Sequence, residues 1–424
     1  MTRHIVYCDL NAAGLQGVET ALDEGLDVSL ISSPMSEGLL RGERGQHFLN
    51  RLLKHEQVSD VSDAGQLAEA LRAIQQVKPV DAAFTVLEYA SLATAKACKA
   101  VGLQTTRPEA VALARDKARC KAVLSAAGLD TGFSRVVQGF NEAQEVMREQ
   151  SYPVVVKPNN GAGSLGAAIV HSDEELHFYF RQVAKTMPGL SAAQAAVFDT
   201  GYTIEEYLEG PLVSVEVLST MDQVIPLMVS GRKRARYNEV LELGTTMPAF
   251  LPEEDTLSCQ AYAARIIDIL DLRPGIMHIE LIITSQGPRL VEVNPRLMGA
   301  SLPSLYQNAT RQNIYSLLHA AHLNTPPPAI QPASRASVSR VIAPRAHAVV
   351  RTPLTAAELM AWHPDIIRAD MTNLEPGQGL PPMTSNHGSI GFFQVAGESS
   401  EQVTRLADQL IHRAEEYLGF ELAK

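Results

Sequence analysis

The residues best suited to chemistry lie in two strand-like runs, MHIELIIT and PRLVEVNPR, which are separated by the turn residues SQG. A three-residue loop would pair Thr284 with Pro288 and set Glu280 directly opposite Glu292, with Asn294 on the same face. The alternate positions are apolar: Ile279, Leu281, Val291 and Val293. Like charges that face each other across a sheet are destabilising, and a divalent cation with oxygen ligands would offset that repulsion. The spacing therefore predicts an Mg²⁺ site, and the alternative is a solvated hairpin with acidic surface residues.

A glycine-rich segment, NNGAGSLG at 159–166, lies between two apolar strand-like runs. Its residues Gly161, Gly163, Ser164 and Gly166 would let backbone amides approach phosphate oxygens closely. The segment is not a Walker A loop, because no Gly-Lys-Ser/Thr follows and the next element is a strand. An ordinary hairpin turn is the alternative interpretation.

Three cationic residues accompany these segments. Lys157 lies in the apolar run VVVKP, where an unpaired ammonium is costly, so a phosphate or carboxylate partner is expected. Lys117, at the start of a helix, would by default be a surface residue. Arg296 follows the hairpin directly and is either an ion-pair partner of its carboxylates or a ligand for phosphate or a developing oxyanion.

The acidic segment EEYLEG, from Glu205 to Gly210, joins two further strand-like runs. Its backbone could pair with the edge of an adenine ring. The alternative is an acidic connection on the protein surface.

The elements that must position these residues alternate between strands and helices, which predicts an α/β fold. A buried parallel strand begins at His4, and a later strand-like run, DAAFTVL, ends at Glu88 and Tyr89. Because α/β sheets bind ligands at the carboxyl ends of strands, these two residues are candidates to line a substrate pocket, with helix capping as the alternative. A helical segment then extends from Thr106, as its N-cap, to Gly128.

The length of 424 residues suggests about three domains, which we divide into four predicted segments. An N-terminal α/β domain spans 1–115, a lobe with the glycine-rich segment spans 116–206, and a lobe with the acidic hairpin spans 207–323. The proline-rich segment 324–335 is typical of a linker. A small C-terminal domain follows at 336–424.

Composition limits the functions that the chain can have. The 424 residues carry a net charge of −11, which argues against a nucleic-acid partner bound through a broad basic surface. The four cysteines are scattered and predict reduced thiols: Cys8, Cys98, Cys120 and Cys259. No segment has the length of a membrane span or the apolar core of a signal peptide, so a cytoplasmic location without a membrane partner is expected.

Taken in order, these motifs resemble the ATP-grasp superfamily. The order is Lys117, Lys157, the glycine-rich segment, EEYLEG, and then HIEL with VEVNPR. The HxE form at 278–280, the NPR-x-x-G form at 294–299 and the C-terminal domain resemble the L-amino acid ligase (dipeptide synthetase) group, which contains bacilysin synthetase and dapdiamide synthetase. The resemblance implies a Rossmann-like N-terminal domain of the biotin-carboxylase type, a two-lobed ATP-grasp region and a small C-terminal α+β domain.

The resemblance also implies roles for individual residues. ATP phosphates would contact Lys117, Lys157, Gly161, Gly163, Ser164 and Gly166. The adenosine part would contact Glu206, Tyr207, Leu208 and Leu290. Mg²⁺, or Mn²⁺ in its place, would be bound by Glu280, Glu292 and Asn294. The substrates would meet Glu88, Tyr89, His278, Arg296, Gly299 and Ala300. Charge that develops in the reaction would be stabilised by Arg296, Gly299 and Lys157.

Two positions concern specificity. Many ATP-grasp enzymes carry a ribose-binding Glu two positions after the hinge glycine, where this chain has Leu212, and Glu209 or Glu216 could replace it. In the ligase group the residue after Gly299 helps to size the pocket for the first amino acid. The small Ala300 predicts room for a large acyl donor.

The predicted function is ligation of an amino acid carboxylate to an amino acid amine through an acyl-phosphate, giving ADP and phosphate. The expected partners are ATP and two small-molecule substrates, and a homodimer is expected as the commonest soluble assembly. Three alternatives stay open: an acceptor such as bicarbonate, phosphate or a thiol, a kinase that stops at phosphoryl transfer, or a non-catalytic nucleotide-binding module. A pure binder has no need to keep Glu280, Glu292, Asn294 and Arg296 together.

Overall fold

The computed structural model describes residues 2–160, 166–186, 198, 200–386 and 388–424. The chain is α/β, with a parallel sheet near the N-terminus, a small antiparallel sheet in the centre and a long antiparallel sheet that runs into the C-terminal part. Among the described residues, no helix is both long enough and apolar enough to cross a lipid bilayer.

The N-terminal domain contains a parallel sheet with the strand order β3-β2-β1-β4. Its elements are β1 (His4–Cys8), α1 (Ala12–Asp23), β2 (Asp27–Ser32), α2 (Glu37–Leu40), α3 (Gly42–Leu49), β3 (Lys54–Gln57), α4 (Ala64–Val77), β4 (Ala82–Phe84) and α5 (Glu88–Ala100). Strand β1 is buried along its whole length, as expected when helices cover both faces of a parallel sheet. The Asp63 side chain caps helix α4 by accepting hydrogen bonds from the Gly65 and Gln66 amides.

The helical segment after Thr106 is two helices rather than one, so that prediction is wrong in this detail. Helix α6 spans Pro108–Arg115 and α7 spans Lys117–Ala126. Between them Asp116 has an extended backbone, and its side chain accepts a hydrogen bond from the Arg119 amide as the N-cap of α7. Thr106 is no cap, because its hydroxyl donates to the Pro274 carbonyl at 2.7 Å. The break places Lys117 in the first turn of a new helix.

The central lobe contains an antiparallel sheet of the order β5-β8-β6-β7. Its elements are β5 (Ser134–Val137), α8 (Phe140–Met147), β6 (Val154–Pro158), β7 (Ala168–Val170), α9 (Asp173–Thr186) and β8 (Tyr202–Glu206). On β6, Val154 and Val156 are buried in the core of this lobe. Period-two alternation therefore directs Val155 and Lys157 to the other face of the sheet.

The long sheet has the order β13-β12-β9-β10-β11-β14-β18-β16. Its first part comprises β9 (Leu212–Ser219), β10 (Val224–Ala235), β11 (Asn238–Met247), α10 (Glu253–Leu270), β12 (Gly275–Thr284), β13 (Gly287–Asn294), α11 (Leu302–Thr310) and α12 (Ile314–His322). The C-terminal part comprises β14 (Ala336–Ile342), β15 (Ala348–Val349), α13 (Ala356–Met360), β16 (Ile366–Met371), β17 (Gly379–Leu380), β18 (Gly391–Gly397) and α14 (Ser400–Leu418). Because β11 pairs with β14, the sheet continues across the proline-rich linker.

Candidate active site

A cleft of about 940 Å³, including space open to solvent, lies between the central lobe and the long sheet. Val155 and Ile169 of the central sheet line one side. Ile282 and Val291 of the acidic hairpin line the other side. These apolar walls leave a slot with the chemical character that a flat ring such as adenine requires.

The segment after β8 forms one end of this cleft, where Glu206, Tyr207 and Leu208 line it as the sequence predicts. Leu208 is buried in an apolar cluster with Leu212 and Ile282. Leu290 also lines the cleft. Backbone groups of this segment are therefore beside an apolar slot, the arrangement that a purine edge needs.

Two lysines line the cleft around one buried carboxylate. Lys121 Nζ lies 2.7 Å and Lys157 Nζ lies 2.9 Å from Glu205 Oε2, and the three side chains are 4%, 12% and 5% exposed in that order. Burial works against ionisation of Glu205, but the two ammonium groups lower its pKa to about 2. The group has a net positive charge in a buried place, which suits a phosphate chain.

Lys117, which by default would be a surface residue, is 6% exposed and lines the same cleft. Its Nζ lies 3.2 Å from Glu292 Oε1. Burial opposes its charge, but the Glu292 carboxylate raises the pKa of Lys117. Lys117 is therefore a cation between the cleft and the acidic hairpin.

The hairpin has the predicted pairing of its acidic residues, but it reaches that pairing by another route. Glu280 is opposite Glu292. The turn has two residues rather than three, so Thr284 pairs with Gly287, and the predicted pairing with Pro288 is wrong. A β-bulge then inserts one extra residue, Val291, and restores the register.

The bulge also corrects the predicted position of Val291. Ile279, Leu281 and Val293 are buried in the core beneath the sheet, as expected for the apolar face. Val291 instead packs with the cluster of Leu208, Leu212 and Ile282, and it lines the cleft. The extra residue moves Val291 to the ligand side because neighbouring side chains alternate between faces.

Three carboxylates line the cleft beside the hairpin: Glu242 of β11, Glu280 and Glu292. Burial raises the pKa of Glu292, and the nearby carboxylates of Glu88 and Glu280 add to this shift against the opposing charge of Lys117. Burial likewise raises the pKa of Glu242. Glu280 behaves differently, because against its burial the His278 and Arg232 side chains lower its pKa to about 2.

The donor set fits a hard divalent cation. Carboxylate and amide oxygens from Glu280, Glu292 and Asn294 are the ligands that Mg²⁺ prefers. In this structure cations of the protein lie beside the same oxygens, with Lys117 Nζ near Glu292 and Arg296 Nη2 3.3 Å from Asn294 Oδ1. No group of three or more His, Cys, Asp or Glu within the described ranges forms a metal cluster, so Asn294 would be needed as a ligand.

His278 lies at the centre of a charged network behind the hairpin carboxylates. Its Nδ1 is 2.5 Å from Glu216 Oε1, and its Nε2 is 3.2 Å from Glu280 Oε1 and 2.9 Å from Arg232 Nη2. Burial opposes protonation, but the Glu216 carboxylate raises the pKa of His278 to about 9. Glu216 is fully buried and does not line the cleft between the central lobe and the long sheet, so its position does not support the prediction that it replaces the ribose ligand.

A second pocket, of about 1710 Å³ including open space, lies on the other side of the carboxylates. All the predicted substrate residues line it: Glu88, Tyr89, His278, Arg296, Gly299 and Ala300. Arg296 Nη2 is 2.7 Å from Glu88 Oε2. Strand β4 ends at Phe84, so Glu88 is in the first turn of α5. The alternative interpretation of Glu88 as a helix cap is wrong, because Leu87 is the N-cap residue of α5 and no side chain makes a capping hydrogen bond there.

The two pockets share three lining residues: Glu242, Glu280 and Glu292. The lysines line the first pocket, and Arg296 lines the second. A group transferred from a ligand in one pocket to a ligand in the other would therefore pass these carboxylates. The lysines would lie on one side of it and Arg296 on the other.

Part of the glycine-rich segment can be described. Gly161, Gly163 and Ser164 lie outside the described residues. Gly166 has a φ of +71°, and a Cβ there would be 3.0 Å from the Phe198 ring, so glycine is required. The Tyr179 hydroxyl donates to the Gly166 carbonyl at 2.6 Å.

Charged lining residues that sequence reasoning missed include Lys121, Arg232, Glu239 and Glu242. Lys121 carried a usable signal, since it lies four residues after Lys117 and therefore on the same face of α7. The other three lie on the β10–β11 hairpin, where charged residues are ordinary in a solvated strand. Only the packing of that hairpin over the cleft gives them significance.

Part of the chain matches a known domain family, and solved structures share its fold. Residues 150–303 match the family described as ATP-grasp domain. The L-amino acid ligase from Bacillus licheniformis has the same fold, with a TM-score of 0.77 and 21% identity over 97% of both chains. A biotin carboxylase from Campylobacter jejuni superimposes with a TM-score of 0.69 and 16% identity over 100% of this chain and 93% of that one. Residues 150–303 thus match an ATP-grasp domain and the whole chain has the ATP-grasp fold, which confirms the predicted fold class.

Among curated relatives, similarity extends to ligases. Human carnosine synthase 1 is 25% identical over 299 residues, which cover 66% of this chain and 35% of that protein. The alanine–anticapsin ligase of Bacillus subtilis (strain 168) is 23% identical over 245 residues, which cover 55% of this chain and 52% of that protein. The chain spans only about a third to a half of the length of these curated relatives.

Proposed function

We propose that this protein is an ATP- and Mg²⁺-dependent ligase that joins the carboxylate of one amino acid, or modified amino acid, to the amine of another. The named ligases among its relatives support a reaction that forms a C–N bond. The products would be an amide, ADP and phosphate.

One observation carries this proposal. The cleft between the central lobe and the long sheet, here called the nucleotide-side cleft, meets the second pocket at Glu242, Glu280 and Glu292. ATP in the first pocket would present its terminal phosphate at the junction, where a carboxylate held in the second pocket could meet it. Catalysis of such a transfer is chiefly positioning and charge stabilisation.

The first step forms the acyl-phosphate. An oxygen of the substrate carboxylate attacks the γ-phosphorus of ATP, the bond to the β-γ bridging oxygen breaks, and ADP leaves. Lys117, Lys157 and the newly found Lys121 balance charge on the phosphate chain. Mg²⁺, held by Glu280, Glu292 and Asn294, would supply further charge neutralisation at the phosphate oxygens.

The second step forms the amide. The amine nitrogen attacks the acyl carbon, and the Arg296 guanidinium and Gly299 amide stabilise the oxyanion. The carbon–oxygen bond to phosphate then breaks, and the nitrogen loses a proton. Gly166 and the glycine-rich segment beside it would cover the phosphates and keep water from the intermediate.

The experiment that tests the proposal measures phosphate release from ATP and Mg²⁺ across pairs of amino acids and modified amino acids, with mass spectrometry of each positive reaction. Release that requires both an acid and an amine, with a condensed product, would support the ligase. A stable phosphorylated product without an amine would instead identify a kinase. Turnover with bicarbonate, phosphate or a thiol would identify another acceptor, and nucleotide binding without turnover of any substrate would favour a binding module.

A further inference from the structure

The ribose of a bound nucleotide has no partner at the position where many ATP-grasp enzymes carry a Glu, because this chain has the apolar Leu212. Leu212 is 8% exposed and belongs to an apolar cluster. Another acceptor in the nucleotide-side cleft must therefore meet the two ribose hydroxyls, or they stay solvated. Carboxylates are the natural acceptors for a pair of hydroxyl donors.

Six carboxylates line this cleft: Glu205, Glu206, Glu239, Glu242, Glu280 and Glu292. Glu205 is held by Lys121 and Lys157. Glu242, Glu280 and Glu292 belong to the acidic junction between the two pockets. Under the proposed function, these four carboxylates lie at the end of the cleft that holds the phosphates and the metal ion.

The remaining two carboxylates lie at the adenosine end, and they differ in their partners. Glu206 Oε1 accepts from Arg289 Nη1 at 3.0 Å, and its Oε2 is close to the Phe133 amide, so both oxygens have partners. Glu239 uses only Oε2, which is 2.8 Å from Arg234 Nη1 and 3.0 Å from the Tyr207 hydroxyl. Within the described part of the chain, its Oε1 has no hydrogen-bond donor.

Glu239 is also placed rigidly relative to the segment expected to hold adenine. Arg234 Nη2 donates to the Gly210 carbonyl at 2.7 Å while its Nη1 contacts Glu239. The Tyr207 hydroxyl provides a second link from the same segment. A side chain held at one oxygen with the other open is preorganised to accept a hydroxyl donor.

We propose that Glu239, on β11, is the ribose-binding carboxylate of this protein and replaces the missing Glu at position 212. Its open oxygen accepts hydrogen bonds from the 2′- and 3′-hydroxyls, so the cleft selects ribonucleotides over deoxyribonucleotides. This inference rests on the proposed function in that it takes ATP as the ligand.

The test measures dissociation constants by calorimetry for ATP, 2′-deoxy-ATP and 3′-deoxy-ATP with Mg²⁺. The full chain, Glu239→Gln, Glu239→Ala and Glu209→Gln are compared. Glu209 is the rival candidate, but it is exposed and does not line the cleft. We expect the unaltered protein to prefer ATP over a deoxy analogue by about ten-fold, the size of a charged hydrogen bond.

The ratio of the dissociation constants for ATP and for each deoxy analogue tests the assignment of Glu239. Both Glu239 variants should lose most of the preference by binding ATP less tightly while binding the deoxy analogues nearly as before, and Glu209→Gln should keep it. A preference that survives in both Glu239 variants, is absent from the unaltered protein, or disappears in Glu209→Gln would overturn the assignment. Failure of the unaltered protein to bind any of the nucleotides would instead contradict the proposed function. Melting temperatures of each variant separate loss of binding from loss of folding.

Discussion

Glu88 and Arg296 are 208 positions apart in the sequence, and Glu88 Oε2 is 2.7 Å from Arg296 Nη2 at the wall of the second pocket. The pair joins the first turn of α5 in the N-terminal domain to the segment that follows the acidic hairpin. Both side chains are largely buried, at 20% and 16% exposure. Under the proposed function, an amino acid substrate would bring one group for each partner, an ammonium for Glu88 and a carboxylate for Arg296.

Replacing Glu88 with Gln should therefore weaken substrate binding more than it slows the chemistry. We expect the KM for an amino acid substrate to rise by about ten-fold with kcat changed much less, because a ground-state contact is lost. Steady-state kinetics with the amino acid and its desamino analogue provide the measurement. An equal change in KM for both compounds would show that Glu88 does not contact the ammonium.

Glu292→Gln should abolish turnover while the fold stays intact. The change removes one charged ligand from the predicted metal site, and we expect a loss of at least about 100-fold in kcat. ADP formation and the melting temperature are measured together, with the exposed Glu254→Gln on α10 as the control. Activity like that of the unaltered protein at ordinary Mg²⁺ would refute the metal assignment.

Ala300 has a left-handed backbone with φ at +51° and lines the second pocket. Ala300→Trp should reduce kcat/KM for bulky acyl donors by about ten-fold or more and leave small donors nearly unaffected, because the added ring occupies pocket volume. Ala300→Gly, which fits this backbone at no steric cost, should keep the bulky donors. Equal discrimination between bulky and small acyl donors in all three proteins would contradict the prediction that residue 300 limits the size of the pocket.

The buried group of Lys121, Lys157 and Glu205 makes a prediction about stability. Glu205→Ala should lower the unfolding free energy by about 3–5 kcal/mol, since it leaves buried ammonium charge without a partner. The double change Glu205→Leu with Lys121→Met should recover much of that loss. Denaturant unfolding measures each variant, with the exposed Glu109→Ala expected to change little. A double variant no more stable than Glu205→Ala would contradict this account.

The same carboxylate predicts how stability changes with pH. Glu205 has a folded pKa of about 2 and an ordinary value of 4.5, so the unfolded chain binds its proton first as the pH falls. Its contribution is fully present above pH 4.5 and is lost towards pH 2, at up to about 1.4 kcal/mol per pH unit. The gap in unfolding free energy between the unaltered protein and Glu205→Gln should therefore narrow between pH 4.5 and 3. A constant gap would mean that Glu205 is not held ionised by the lysines.

The sequence by itself determined the local elements and most of the chemical groups. Strand β1 and the shared face of Glu280 and Glu292 follow from short-range sequence pattern, because the spacing of apolar residues reports which face is buried. Membership of the ATP-grasp fold followed from the order of the motifs.

The tertiary structure decided which side chains from distant parts of the chain lie next to one another. The burial of Lys117 and Lys121, the contact of Glu88 with Arg296 and the place of Glu239 at the cleft depend on segments far apart in the chain. Val291 shows that short-range pattern also leaves the turn undetermined. A two-residue turn followed by a bulge at Val291 gives the same Glu280–Glu292 pairing that a three-residue loop would have given. Periodicity specifies a face, whereas the partner on that face is chosen by packing of the whole chain.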